Sequence, residues 1–192
     1  LPGRRPIRRS AAGIIVAVLA ALVLAADQFV KYLTVENLPL QEVVPVLGDF
    51  LQLYFIRNSG AAFSLGSDVT WIFTIALTVV AVIIIWKATG LNSRIWAIVL
   101  GCLLGGVLGN LTDRLLREPA FAVGHVVDMI SMPWMMPAIF NVADIFIVCG
   151  MISVALLVVL GIRFDGTREK DHVAAAEAEV VDGGAEVARK DA

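Results

Sequence analysis

The sequence predicts an all-α polytopic membrane protein of four transmembrane helices with a small extracytoplasmic β element. Of its 192 residues, 59% are hydrophobic and only 17% are charged, a balance that suits lipid as solvent rather than water. Four stretches approach the roughly 20 apolar residues that a helix needs to cross a bilayer core of about 30 Å. The ionisable and amide residues inside these stretches gather near one end of each span.

The four spans are Ala11 to Leu33, Val69 to Ala88, Ile95 to Thr112 and Ala138 to Ile162. The first has the outline of a cleavable signal peptide, with a basic start, an apolar run and Ala25-Ala26. Its helical pattern continues, however, through Asp27, Phe29, Val30, Lys31 and Leu33, and Asp27 and Lys31 lie one turn apart on one face. A retained span is therefore expected. Between the first and second spans, Leu51, Leu53 and Phe55 alternate with Gln52, Tyr54 and Ile56 before Gly60, the pattern of a short half-buried strand and turn. In the third span Gly101, Gly105 and Gly109 repeat at GxxxG spacing, which lets a neighbouring backbone approach closely. Pro133, Trp134 and Pro137 suggest an interfacial segment before the fourth span. Cys102 and Cys149 both lie within apolar runs and read as small core hydrophobes, not as a disulfide pair or a metal site.

Basic residues orient the chain, because Lys and Arg accumulate on cytoplasmic loops. With both termini inside, Arg4, Arg5, Arg8, Arg9, Lys87, Arg94, Arg163, Arg168, Lys170, Arg189 and Lys190 are cytoplasmic. Only Lys31, Arg57, Arg114 and Arg117 are then outside. The organisation is a basic cytoplasmic N-terminus (1–10), a four-helix unit (11–162) with outer loops at about 34–68 and 113–137, and a cytoplasmic tail (163–192). The tail is rich in Ala, Glu, Asp, Gly and Val, lacks a helix-length apolar face, and is expected to be disordered.

In this orientation the polar residues at membrane depth form one outer layer. Asp27 and Lys31 end the first span, Asn110, Asp113 and Arg114 end the third, and Asn141 and Asp144 open the fourth. Asn58 and Asp128 lie in loops that could fold over them. Ionisable groups at such depth are functional hypotheses by default, but each has a structural reading. Asp27 and Lys31 form an i,i+4 pair, Asp113 and Arg114 can cap and anchor the third helix, and the asparagines position without titrating. Asp128 sits among Val126, Val127, Met129 and Ile130, where an isolated carboxylate is unfavourable unless paired. Asp144 opens a helix with Asn141 one turn before it.

Two carboxylates held close do not both ionise easily, so one keeps a proton while the other accepts one from water. Such a pair can hydrolyse a peptide bond without a covalent intermediate. A serine mechanism drawing on Ser59, Ser64 or Ser67 has only His125 as base and no nucleophile elbow. A metal mechanism could use His125, Asp128 and Asp144, although the other histidine, His172, is in the tail and zinc sites commonly draw on two or three. No metal or cofactor is expected. A small transporter or channel with an outer carboxylate site, and a noncatalytic assembly factor held by the third helix, are the remaining readings. A single polar layer fits a surface reaction better than a path through the midplane.

The chain carries Asp27-Gln28-Phe29-Val30-Lys31, Asn58-Ser59-Gly60-Ala61-Ala62-Phe63, Gly109-Asn110-Leu111-Thr112-Asp113-Arg114, Val126-Val127-Asp128 and Phe140-Asn141-Val142-Ala143-Asp144, in that order. With these motifs it resembles the lipoprotein signal peptidases (signal peptidase II), bacterial aspartyl peptidases of the cytoplasmic (inner) membrane. The resemblance runs from the first span to the fourth and excludes the tail. It implies removal of signal peptides from diacylglyceryl-modified prolipoproteins by cleavage before the lipobox cysteine, at the extracytoplasmic face. Asp128 and Asp144 would be the catalytic dyad. Asn58, Gly60, Asn110, Asp113, Arg114, Asn141 and Ala143 would hold substrate or shape the site, and Asp27 and Lys31 would support the fold. Met129 departs from the aromatic residue expected after the first aspartate, which bears on local packing only. The implied partners are prolipoprotein substrates, membrane lipid and the cyclic peptide inhibitor globomycin, with no nucleic acid, and the protein is expected to be a monomer.

Overall fold

The computed structural model describes residues 7–60 and 70–167. Among them are four helices long and apolar enough to cross a membrane: α1 (Arg9–Asn37), α2 (Thr70–Ala88), α3 (Arg94–Leu116) and α4 (Val142–Val159). A three-stranded antiparallel sheet lies at one end of the bundle, with β1 (Val43–Leu47), β2 (Leu51–Asn58) and β3 (Val126–Ser131) in that order.

α3 is the central helix. In its most apolar stretch 67% of residues are buried, against 22% for α1 and 17% for α2 and α4. The reason lies in its glycines. A Cβ placed on Gly101 would stand 3.1 Å from the Val16 backbone, and one on Gly105 would stand 2.8 Å from Ala20 O. Gly101, Gly105 and Gly109 therefore seat α3 against α1, while Gly106, whose Cβ would meet Ala143 O at 2.7 Å, seats it against α4. The rest of the core is aliphatic, with Ala12, Val16, Ala20, Leu100, Leu103, Leu104 and Val107 buried along the seam. Cys149 departs from expectation and is exposed, because it lies on the outer face of α4.

Helix ends differ from the sequence expectation by up to one turn. α1 runs on to Asn37, where the Leu38 N–H bonds Thr34 O and Pro39 follows; α3 runs on to Leu116, with Pro119 just beyond. α4 starts later, at Val142, because Asn141 and Asp144 close a reciprocal capping box that defines its first turn.

The expected strand is β2, but Asp128, expected in a loop, lies on β3. Pairing of Ile56 with Asp128, Arg57 with Val127 and Asn58 with Val126 zips β3 to β2. Strand alternation then divides the side chains. Val127 and Met129 cluster with Phe55 against Val30 and Leu38, which accounts for Met129 as a packing residue that is 1% exposed. Asp128 points the other way. Within β3 the backbone of Ile130 exchanges hydrogen bonds with Phe140 at 2.8 and 3.0 Å, so the residue before the α4 cap is tied to the strand bearing Asp128. Trp134, in the intervening segment, stacks on Phe50 with ring centroids 4.9 Å apart.

Candidate active site

The polar residues assemble at the sheet end of the bundle in two connected tiers. The lower tier is ionic and fully enclosed. Lys31 Nζ lies 2.8 Å from Asp27 Oδ2 and 2.8 Å from Asp113 Oδ2, and all three side chains are inaccessible to solvent. Burying a charge this deeply is tolerable only when every polar atom is paired, and here the pairing is extensive. Asp27 Oδ1 accepts the Ala143 N–H at 2.9 Å, Asp113 Oδ2 accepts the Val127 N–H at 3.1 Å, and Arg117 Nε donates to Asp113 Oδ1 at 2.7 Å. One triad thus fastens α1, α3, the start of α4 and β3 to one another. Gly109 leaves room for it, since a Cβ there would fall 2.5 Å from Asp27 Oδ2 and 3.1 Å from the Ala143 Cβ.

The upper tier holds Asp128 and Asp144, joined through asparagines. Asn141 Nδ2 donates to Asp128 Oδ1 at 2.6 Å, and the Asn141 N–H donates to Asp144 Oδ2 at 3.0 Å. Asn110 Nδ2 donates to Asp144 Oδ1 at 2.8 Å, and Asn58 Nδ2 donates to Asp128 Oδ2 at 2.8 Å. All four carboxylate oxygens therefore accept one hydrogen bond.

The direction of each amide is settled by a partner that can only donate. Asn110 Oδ1 faces Lys31 Nζ at 2.9 Å, Asn141 Oδ1 faces the Asp144 N–H at 3.0 Å, and Asn58 Oδ1 faces the Gly60 N–H at 2.8 Å. Each NH2 group is then left to face a carboxylate. Asn141 Nδ2 also reaches Asn110 Oδ1 at 3.1 Å, closing the network.

Burial pushes the Asp128 carboxyl up to about 6, with the negative charge of Asp144 acting in the same direction. The hydrogen bonds from Asn58 and Asn141 and the Lys31 charge pull it partly back. Asp144 sits in the first turn of α4, where its carboxylate accepts the Asn141 N–H as half of the capping box. The arrangement holds two carboxylates in one network of amide donors.

A sequence profile described as Signal peptidase (SPase) II matches residues 19–160. The chain belongs to the signal peptidase II family. It is 50% identical over 159 residues to the lipoprotein signal peptidase of Leifsonia xyli subsp. xyli, covering 83% of this chain and 73% of that one. It is 45% identical over 154 residues to the lipoprotein signal peptidase of Mycobacterium avium, with coverage of 79% and 84%. A solved structure titled as a bacterial membrane enzyme, determined in meso at 1.9 Å, shares the fold at a TM-score of 0.68 and 23% identity, covering 80% of this chain and 96% of that one. Membership makes this signal peptidase II chain a membrane peptidase and sets aside the transporter, channel and assembly-factor readings.

Against the sequence expectations, the structure brings Asn58, Asn110, Asp128, Asn141 and Asp144 together, with Asp27, Lys31, Asp113 and Ala143 directly beneath. Asp113 is no surface cap, because its carboxylate is wholly buried. Arg114 is buried rather than anchored among headgroups. Its Nη1 donates to Gly124 O at 3.1 Å, its guanidinium lies 5.6 Å from the Phe73 ring, and its Nε has no partner among the described residues. Gly60 has φ +91°, which favours glycine, and a Cβ there would meet Phe73 at 2.7 Å. The rest of its motif, Ala61 to Phe63, and also Ser64, Ser67 and His172, lie outside the described residues. His125 lines a separate cleft with Arg57 and Arg117, and burial followed by the Arg114 and Arg57 charges pushes its imidazole down.

Sequence reasoning overlooked Gln28 and Arg117 as support. Gln28 Nε2 lies within 3.2 Å of Asp27 Oδ2, Gly109 O and Asp113 Oδ1. An amide beside an Asp in an apolar span was the available signal.

Proposed function

We propose that this chain cleaves prolipoprotein signal peptides before a diacylglyceryl-modified cysteine, with Asp128 and Asp144 as the catalytic dyad. The observation that supports this most directly is Asn141, which bonds one aspartate through its side chain and the other through its backbone. The names of the relatives supply the substrate class. With the basic residues placed inside, the site opens at the extracytoplasmic face of the membrane.

In the reaction, Asp144 takes a proton from a water molecule as the water oxygen attacks the scissile carbonyl carbon. Asp128 donates its proton to the carbonyl oxygen, giving a neutral tetrahedral diol. Breaking the C–N bond returns the Asp128 proton from the hydroxyl, and the proton on Asp144 passes to the leaving amine. The asparagine donors and the buried Lys31 stabilise the negative charge the pair retains throughout. Acyl chains on the substrate cysteine hold the neighbouring bond at the membrane surface, which raises its effective concentration at this layer.

The test is cleavage in detergent of a prolipoprotein peptide with and without its diacylglyceryl group. The lipidated form alone is cut, and Asp128→Asn and Asp144→Asn each lose cleavage by about a thousandfold or more while remaining folded by circular dichroism. Near-normal turnover by either variant overturns the dyad, and equal cutting of both peptides overturns the substrate.

A further inference from the structure

The end of the bundle opposite the aspartates contains a second built cleft. After α4 the chain folds back across the starts of α1 and α3. Trp96 Nε1 donates to Ile162 O at 3.0 Å, the Asn92 N–H donates to Phe164 O at 3.1 Å, and the Asn92 side chain donates to Ile7 O at 2.9 Å. The Trp96 and Phe164 rings meet at 4.5 Å. These segments wall a cleft of about 500 Å³ whose lining includes Arg9, Trp96, Val158, Arg163 and Phe164. That volume lies within the roughly 300–1,000 Å³ of small-ligand sites.

Among the described residues, charge around this cleft is one-sided. Arg8, Arg9, Lys87, Arg94 and Arg163 lie at this end, and Asp165 is the only acidic residue there among those described. Among the described residues neither lining arginine makes a short ion pair: Arg9 Nε is 3.5 Å from the Asn92 amide oxygen, and Arg163 Nε is 3.9 Å from Asp165 Oδ2. No acid in the first turn of α1 or α3 offsets these cations. Lys87 Nζ stands 5.9 Å from the Phe164 ring, adding to the positive side. The last turn of α4 presents a strongly apolar surface beside the cleft, with Val158 64% and Val159 83% exposed.

Cations at the mouth of a largely apolar cleft, flanked by exposed aliphatic surface, complement an anionic headgroup with acyl chains attached. We infer that this cleft binds an anionic phospholipid, with its phosphate between Arg9 and Arg163 and its chains along the end of α4. In the orientation given above, the lipid belongs to the cytoplasmic leaflet. The site is independent of the peptidase chemistry, since it shares no residue with the aspartate network.

Native mass spectrometry of the full chain in detergent, with equal phosphatidylglycerol and phosphatidylcholine, tests it. Phosphatidylglycerol is retained over phosphatidylcholine by about tenfold, and the R9Q/R163Q variant loses that preference. R9K/R163K keeps it, and so does the charge-matched R189Q/K190Q. Each variant still cuts the lipidated peptide at the parent rate. Should R9Q/R163Q not fold, Arg163→Gln alone, at a side chain 54% exposed, reads a loss of about threefold. Absence of the preference in the parent chain, or an equal loss in R189Q/K190Q, overturns the inference. Displacement of the lipid by inorganic phosphate would reassign the site to free anions and overturn it as well.

Discussion

Lys31 Nζ lies 2.9 Å from Asn110 Oδ1, and this contact decides which way the Asn110 amide faces. An ammonium only donates, so the amide oxygen is held to Lys31 and its NH2 is presented to Asp144. A charge sealed between helices thereby sets a hydrogen bond at the proposed site without being accessible there itself.

Replacing Lys31 by Met leaves Asp27 and Asp113 buried without their shared cation. Unfolding followed in detergent by tryptophan fluorescence is expected to show a loss of about 3–5 kcal/mol. The triple variant K31M/D27N/D113N recovers most of this stability, because no uncompensated charge remains, but not the cleavage rate. A triple variant as unstable as K31M would show that the three groups do not act as one unit.

The Asp128 carboxyl, pushed up to about 6, predicts that kcat/KM falls as pH rises through that value and the proton-donating form is lost. Asn58 donates to Asp128 Oδ2 and stabilises the ionised form. Asn58→Ala is therefore expected to move the alkaline limb upward by about one pH unit while lowering kcat. A limb that stays in place or moves downward would assign it to another group.

The same group predicts how stability responds to pH. In the folded chain Asp128 holds its proton up to about 6, whereas the ordinary value is 3.8. Across this window the folded state binds more protons than the unfolded state, so stability falls as pH rises from 3.8 through about 6 and then levels off. The contribution is on the order of 3 kcal/mol. In Asp128→Asn this pH-dependent fall disappears, as measured by denaturant unfolding at successive pH values; an unchanged slope would remove Asp128 as its source.

The glycines of α3 predict a graded series. Gly105→Ala drives a methyl group to 2.6 Å from the Val23 Cβ and is expected to destabilise by about 1–3 kcal/mol. Gly101→Ala, with contacts at 3.1 Å, costs less. Gly109→Ala strikes the Asp27 carboxylate and reduces both stability and turnover. Gly13→Ala has nothing within 4 Å and is expected to stabilise α1 by roughly 0.5–1 kcal/mol. Thermal unfolding of the four variants ranks them, and a Gly105→Ala protein as stable as Gly13→Ala would exclude tight packing.

The spans were legible because bilayer thickness dictates an apolar run, and α2 and the cores of α1, α3 and α4 follow it directly. The site residues stood out because Asp27, Lys31, Asp113 and Asp144 interrupt or border such runs. β3 was not legible: Val126 to Met129 are buried on both faces, so the strand shows no alternation to distinguish it from a loop near the membrane. β1 carries Pro45 and is largely exposed, which weakens the usual strand pattern. The α4 boundary was hidden because Asn141 and Asp144 read as site residues, and the reciprocal cap they form becomes visible only when both backbone partners are known. Gln28 escaped notice because an uncharged amide draws no attention until three acceptors converge on it.

The Asp27 and Lys31 pair also bears on how the chain enters its membrane. α1 emerges from the ribosome well before α3, so Asp113 and Asn110 do not yet exist when α1 meets the bilayer. At i,i+4 spacing the two charges can neutralise one another within a single helix. The later arrival of α3 converts this temporary pair into a three-way junction, making α1 the membrane-ready half of a joint completed only by the rest of the polypeptide.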